Sequence, residues 1–299
     1  WEEKTPLMSN PLHAAHYADS ARQCRVAIAE NVQVARDTYR VRLHCEEIAG
    51  RILPGQFVMV RLSGGNDPLL GRPLAVYDVV PDAAGHALDL IYHVKGRFTT
   101  RLARCERGQP LDLWGPLGNG FPVLPCTHLV MVAGGVGQTP FLTLAKEHLG
   151  RQQFGAPPRS VVPVPQVTLC FGAQSHEFMA GVADFEAQGV DVRLATEDGS
   201  AGQRGLVTEL LEQILAAAPS TGSATALRVV CCGPEAMMRT AAQIAARYQV
   251  PCLVSLETPM ACVIGICFTC VAKIRQKTGW DYKRTCVEGP VFDARDVCW

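Results

Sequence analysis

Residues 129–140 read LVMVAGGVGQTP, and the fold turns on how this stretch is read. Its apolar opening, which begins at Thr127, suits a strand buried on both faces and is too short for a helix. The glycines that follow permit a tight turn, and residues 139–149 then take up helical spacing. A strand that runs through glycines into a helix start can hold a dinucleotide, because the unpaired N–H groups there favour anions. The pattern is not GxGxxG. Gly134, Gly135 and Gly137 therefore carry two readings, a dinucleotide cradle or a turn with a purely structural purpose.

On the C-terminal side the same alternation continues. Apolar runs at 166–172, 190–196 and 227–232 read as further buried strands, with helical spacing at 178–188, 206–218 and 234–248. This predicts a doubly wound parallel α/β sheet. Cys232 ends one of these strands, just before Gly233 and Pro234, at the edge of the sheet where ligands collect. It is a candidate nicotinamide contact or one more buried thiol. Glu197 and Asp198 follow another strand, as ribose-hydroxyl acceptors or as a polar loop capping the next helix.

On the N-terminal side the rhythm is different. Short alternating runs at 24–29, 38–43, 56–62, 74–79, 87–94 and 110–113, separated by Gly, Pro and Asp, predict a six-stranded antiparallel β-barrel. Residues 1–21 lack periodicity and read as an N-terminal extension. Within the barrel, Arg72 and Pro73 open a strand with a fixed cation that can take a phosphate bidentately, followed by Leu74 and Ala75. Ile91, Tyr92 and His93 close another strand, and Phe98 and Thr99 come soon after. Together these positions outline a flavin pocket, although an isolated Arg-Pro is more often a solvated turn.

The strongest chemical signal is a quartet of thiols. Cys262, Cys267 and Cys270 fall within nine residues, and Cys286 follows after fifteen more. C-x4-C-x2-C…C is the spacing by which plant-type ferredoxins hold a [2Fe–2S] cluster. Each iron carries two bridging sulfides and completes its tetrahedron with two soft anionic ligands, so four thiolates are needed. Structural zinc is the alternative, and it usually asks for two short cysteine knuckles, whereas here the fourth cysteine stands alone.

Composition bounds the rest. A chain of 299 residues, 48% hydrophobic and 19% charged, suits two domains and a small third unit. Lysine plus arginine equals aspartate plus glutamate at 28 each, which gives no basic footprint for nucleic acid. Thirteen cysteines without an apolar leader read as thiols of a reducing, cytoplasmic compartment. No apolar run is long enough to cross a bilayer, so no direct membrane contact is expected.

The order of these pieces resembles the ferredoxin-reductase superfamily, most closely the electron-transfer subunits of class 1B dihydroorotate dehydrogenase. The resemblance covers residues 22–294 and rests on the Arg-Pro strand, GPLGNGF at 115–121, GGVGQTP, TEDGSAGQRGLVT, CGPEAMM, the cysteine spacing and KRTCVEGPVF. It implies an FAD-binding barrel at 22–124, an NAD-binding domain at 125–250 and a small C-terminal [2Fe–2S] subdomain at 251–299. It also implies FAD contacts at Arg72, Pro73, Leu74, Ala75, Ile91, Tyr92, His93, Phe98 and Thr99, and cluster ligation by Cys262, Cys267, Cys270 and Cys286.

The implied role is to pass electrons from an FMN-containing catalytic subunit, through the cluster and FAD, to NAD+ in pyrimidine biosynthesis. The implied assembly is a heterotetramer of two catalytic and two electron-transfer subunits. Several positions depart from the family's habits: Ala75 for Ser, His93 for Arg, Phe98 for Gly, Pro259 for Arg and Val263 for Gly. Rival readings are the small subunit of a ferredoxin:NADP oxidoreductase, a sulfhydrogenase diaphorase subunit, and a non-catalytic zinc-binding or interaction subunit.

Overall fold

The computed structural model describes residues 18–82, 85–123, 125–218 and 227–299. Most of the extension expected at 1–21 lies outside the described residues. In chain order the first unit comprises β1 (Arg22–Ala35), β2 (Thr38–His44), α1 (Glu46–Ala49), β3 (Phe57–Leu62), β4 (Arg72–Asp82), β5 (Gly85–His93), α2 (Arg97–Leu102) and β6 (Pro110–Leu117). Six antiparallel strands close a barrel in the order β1-β2-β5-β4-β3-β6, as the spacing predicts. Closure depends on β1, whose first half pairs with β6 and whose second half, beyond an irregularity after Ile28, pairs with β2. A strand with a bulge can bend between two partners in this way. Alternate residues fill the interior, among them Val41, Leu43, Val58, Leu88 and Leu90.

The second unit comprises β7 (His128–Gly134), α3 (Phe141–His148), β8 (Gln166–Ala173), α4 (Val182–Glu186), β9 (Asp191–Thr196), β10 (Gln203–Arg204), α5 (Val207–Ala217), β11 (Leu227–Cys232), α6 (Glu235–Arg247) and β12 (Cys252–Ser255). After these come β13 (Val271–Arg275), β14 (Trp280–Arg284) and β15 (Val291–Asp293). The large sheet runs β10-β9-β8-β7-β11-β12-β15 and is parallel except for the last pair. On β7 the predicted double burial is visible: Val130 and Val132 face α5 and α6, while Leu129 and Met131 face α3 and α4. The helix expected at 178–188 is broken into a 3₁₀ turn at His176–Phe178 and the short α4. Gly181 between them is left-handed, with φ of 80°, and a Cβ there would strike the Tyr77 hydroxyl. Barrel and sheet domain approach too closely at this point for the helix to run through.

Two further contacts fix the domains against each other. Lys146 on α3 reaches both carboxylate oxygens of Asp78 on β4, at 2.7 and 2.6 Å, and the Tyr77 hydroxyl donates to Asp184 at 2.7 Å. Burial pushes the Asp78 carboxyl up, against the pull of Lys146, so this pair specifies an orientation more than it stabilises. Strands β12 and β15 both belong to the large sheet, so the thiol-bearing segment is an excursion that leaves and re-enters it. The two-stranded sheet of β13 and β14 is the excursion's only ladder among the described residues.

Candidate functional site

The four thiols gather as two pairs. Cys270 and Cys286 place their sulfurs 3.1 Å apart in a buried site, and the Cys267 N–H donates to the Cys262 sulfur at 3.4 Å. Among the described residues no three His, Cys, Asp or Glu side chains converge as one ion would require. Two pairs fit a binuclear cluster, with two thiolates for each iron, better than a single zinc. Cys267 is exposed, and hydrogen bonds from Thr269 and from backbone N–H groups draw its pKa down to about 6. Cys270 is drawn to about 6 by its bond with Cys286, which that same neighbour holds well up. At Cys267 the loop favours the thiolate, the form that binds metal.

Backbone geometry in this loop is unusual. Val263 and Phe268 have φ of 55° and 54°, a region that suits glycine and is an outlier for a β-branched residue. Val263 is held there by burial, since its side chain packs with Phe57, Met59, Cys270 and Cys286. Phe57 and Met59 lie on β3, directly opposite Ala75 and Pro73 of β4. The buried thiol pair therefore rests on a barrel strand adjacent to the one that carries the expected FAD positions.

A second anchor comes from the GPLGNGF motif. Asn119 donates to the Val291 carbonyl at 2.8 Å and accepts the Val291 N–H at 3.1 Å, and its own N–H donates to the Gly289 carbonyl. A Cβ on Gly118 would lie 2.6 Å from Pro290. Strand exit and excursion return are thus locked together. The motif was quoted in the sequence, but nothing local to Asn119 shows that its partner lies 172 residues away.

The barrel positions divide by what their side chains do. Arg72 is exposed and bonds only the Leu70 and Gly71 carbonyls, with no carboxylate partner among the described residues. That leaves its guanidinium able to take an anion. Pro73, Leu74 and Ala75 are half-buried along the same strand. Phe98 is buried beneath Arg72, with its ring centroid 5.8 Å from the guanidinium, and packs into the barrel core. Tyr92 is also inside, bonded to Asn31 at 3.0 Å and stacked on Tyr39. Ile91 faces the sheet domain, and His93 is half-buried beside Thr38. The Thr99 hydroxyl accepts the Lys95 and Gly96 N–H groups and so holds the turn into α2. At Tyr92 and Phe98 only the backbone is left to meet a ligand.

In the sheet, β8 and β11 leave β7 on opposite sides, so the strand order reverses between β7 and β11. Ligands of open α/β sheets bind at such a switch point, beyond the carboxyl ends of the strands. Gly134 to Gly137 and Cys232 to Pro234 meet there. A Cβ on Gly137 would collide with the Cys232 carbonyl, and one on Gly134 would sit 2.7 Å from the Met237 sulfur. Gly135 is different: its φ is 55° and nothing lies within 4 Å of its missing Cβ. Of the three glycines, two let protein pack on protein and one leaves space for a ligand. The turn also approaches β5, whose Ile91 packs in the core of the sheet domain. Burial and the nearby Glu257 push the Cys232 thiol up to about 12, against a bond from Ser255, so it stays neutral. Asp198 is tied up by Ser200, whose N–H and hydroxyl donate to it at 2.9 and 2.6 Å.

With this geometry in view, comparison with known proteins gives consistent matches. Residues 257–298 match the iron-sulfur cluster binding domain of dihydroorotate dehydrogenase B, and residues 131–243 match an oxidoreductase NAD-binding domain. The electron transfer subunit of dihydroorotate dehydrogenase B (NAD(+)) from Caldanaerobacter subterraneus subsp. tengcongensis is 32% identical, over 91% of this chain and 97% of its own. The corresponding subunit from Desulforamulus reducens is 35% identical, over 89% and 94%. A solved NADH-dependent reduced ferredoxin-NADP oxidoreductase, studied for flavin-based electron bifurcation, superposes with a TM-score of 0.76 at 25% identity, covering 92% of this chain and 90% of that one. The chain belongs to the family of dihydroorotate dehydrogenase B (NAD(+)) electron transfer subunits.

Proposed function

We propose that this chain carries electrons between a dihydroorotate-oxidising, FMN-containing catalytic subunit and NAD+, using a [2Fe–2S] cluster and FAD. The observation that carries the proposal is the shared wall of β3, where Phe57 and Met59 pack on the buried thiol pair and stand opposite Ala75 and Pro73. Strands in a ladder lie about 4.8 Å apart, so a ligand along β4 and a cluster under β3 are close neighbours. Oxidation of dihydroorotate to orotate releases two electrons and two protons, and NAD+ takes up both electrons with one proton as hydride. A bound flavin exchanges electrons singly with a cluster and in pairs with a nicotinamide, which is the chemistry required between them.

The chain's own residues bind, orient and exclude water. Cys262, Cys267, Cys270 and Cys286 supply the cluster thiolates. Arg72 supplies a fork for the FAD pyrophosphate, with the β4 backbone from Pro73 to Ala75 and the β5 backbone from Ile91 to His93 alongside the flavin, and the α2 turn at Phe98 and Thr99 nearby. Gly135 gives the dinucleotide an open face, and Cys232 presents a neutral thiol at the switch point. Phe57, Met59 and Val263 keep the space between thiols and barrel dry. We infer a cytoplasmic heterotetramer of two catalytic and two electron-transfer subunits. None of the thirteen cysteines is in a disulfide, which suits a reducing compartment, and no described helix is long and apolar enough to cross a membrane.

Purified chain is expected to show flavin absorption, two irons and two sulfides, an iron–sulfur EPR signal on reduction, and NADH oxidation with artificial acceptors. It should form no orotate until the catalytic subunit is added. Orotate formation by the chain alone, or protein with neither flavin nor iron, would overturn the proposal.

A further inference from the structure

Arg284 ends β14, two residues before Cys286, yet its side chain is only 7% exposed. It turns back under the thiol loop. Its Nη1 donates to the Gly265 carbonyl at 2.9 Å, its Nε donates to Glu288 at 3.1 Å, and its guanidinium lies 5.0 Å from the Phe268 ring centroid. Glu288 also accepts the Arg284 N–H at 2.8 Å, and Lys283 approaches its other oxygen at 3.3 Å. A buried cation is thus matched by one carboxylate, which in turn is matched by a second cation at the edge.

Two non-glycine residues of the loop hold left-handed backbone, and such conformations persist only where surrounding contacts over-determine them. Burial fixes Val263. Phe268 is 53% exposed, so the hydrophobic core does not hold it, and the guanidinium against its ring does. Gly265 lies between the two. Its carbonyl is taken by Arg284, and its N–H faces the Cys286 sulfur. The gripped carbonyl and this N–H lie on successive peptide units joined at the Gly265 Cα, so holding the one restrains the swing of the other.

We propose that Arg284 is the positioning residue of the cluster loop: by holding the Gly265 carbonyl and the Phe268 ring it aims loop N–H groups at the cluster sulfurs, and with Glu288 it sets the charge beside them. This inference rests on the cluster reading given above. Hydrogen bonds to the sulfurs and nearby net charge are the protein's means of setting the potential of an iron–sulfur centre. Lysine keeps the charge but has no rigid fork, so it cannot grip carbonyl, carboxylate and ring together.

The test uses the full chain assembled with its catalytic subunit. Arg284→Lys and Glu288→Gln are compared with wild type by iron and sulfide content, by EPR of the dithionite-reduced cluster, and by its reduction potential in a mediated titration. Arg284→Lys is expected to lower the potential and broaden the EPR signal with two irons still bound. Glu288→Gln removes an anion while leaving the guanidinium on Gly265, so it is expected to raise the potential. Opposite signs in the two variants support the proposal. Equal potentials and unchanged spectra in loaded variants overturn it. If Arg284→Lys loads no iron, Glu288→Gln decides alone, and no upward shift there overturns the proposal. Wild type without a two-iron signal would instead fail the cluster reading itself.

Discussion

The side chain of Asn119 completes a two-bond ring with the backbone of Val291, donating at 2.8 Å and accepting at 3.1 Å, so that one amide stands in for a missing strand. Its Nδ2 also reaches the Glu288 carbonyl at 3.4 Å. Through this residue the last barrel strand holds the end of the thiol-bearing excursion. Asn119→Ala leaves the Val291 N–H and carbonyl without these partners, and each such group costs about 1–3 kcal/mol when buried. The expected loss is about 3 kcal/mol in urea unfolding of the holoprotein, with faster release of iron to a chelator. Asn119→Asp keeps the acceptor and should recover part of the loss.

Gly135 and Gly137 are two residues apart, and alanine at each has a different consequence. Gly137→Ala drives a methyl into the Cys232 carbonyl, and the protein is expected to lose more than about 3 kcal/mol or to express as aggregate. Gly135→Ala meets no atom and costs about 1 kcal/mol for its left-handed backbone. Its effect should appear in binding, with NADH affinity about tenfold weaker in a calorimetric titration.

At Val263 two effects oppose each other. Relieving a left-handed β-branched residue is worth about 1–2 kcal/mol, whereas burying a valine side chain contributes about 1.5–3 kcal/mol. Val263→Gly gains the first and loses the second, so its stability should fall by about 1 kcal/mol or less. Val263→Ala loses much of the packing and keeps most of the strain, and should be the less stable of the two. Parallel thermal melts of the two variants test the order.

Burial lowers the pKa of His148 and of His128 below the ordinary 6.5, so the unfolded chain takes up protons first. The stability associated with both is present above about pH 6.5 and is lost as pH falls through the folded values. Glu288 and Asp293 are held below their ordinary 4.5 and 3.8, so they act in a more acidic window. Asp78, pushed up by burial, works in the opposite sense. The informative quantity is therefore a difference: melting temperature of the holoprotein should fall from about pH 7.5 to 5.5, and less steeply in His128→Gln/His148→Gln.

What the residues revealed in advance follows from range. Alternation and apolar runs are local, so the six barrel strands and the four main parallel strands stand close to their expected places. The second half of β1 was missed because residues 30–35 are partly exposed and show no clean alternation. The short strands β12 and β15 exist only through pairing, and three residues at 291–293 carry no period. The same distinction governs the site. Cysteine spacing is legible because three ligands share one loop, and this is why the thiols were found. Arg284 reads as an ordinary strand-end cation until Gly265, 19 residues earlier, is seen to accept its hydrogen bond. That the Tyr92 and Phe98 side chains pack inward depends on how strand and helix close over the barrel core, which no local pattern shows.

Because β12 and β15 flank the excursion, the outer border of the large sheet is sealed by only three residues at the excursion's far end. Loosening the thiol loop would let that seal peel away, leaving the outward amides and carbonyls of Cys252 to Ser255 without a mate. Unpaired strand borders recruit other chains. Iron starvation should therefore show itself in this protein first as clumping, ahead of any gross unravelling of the barrel.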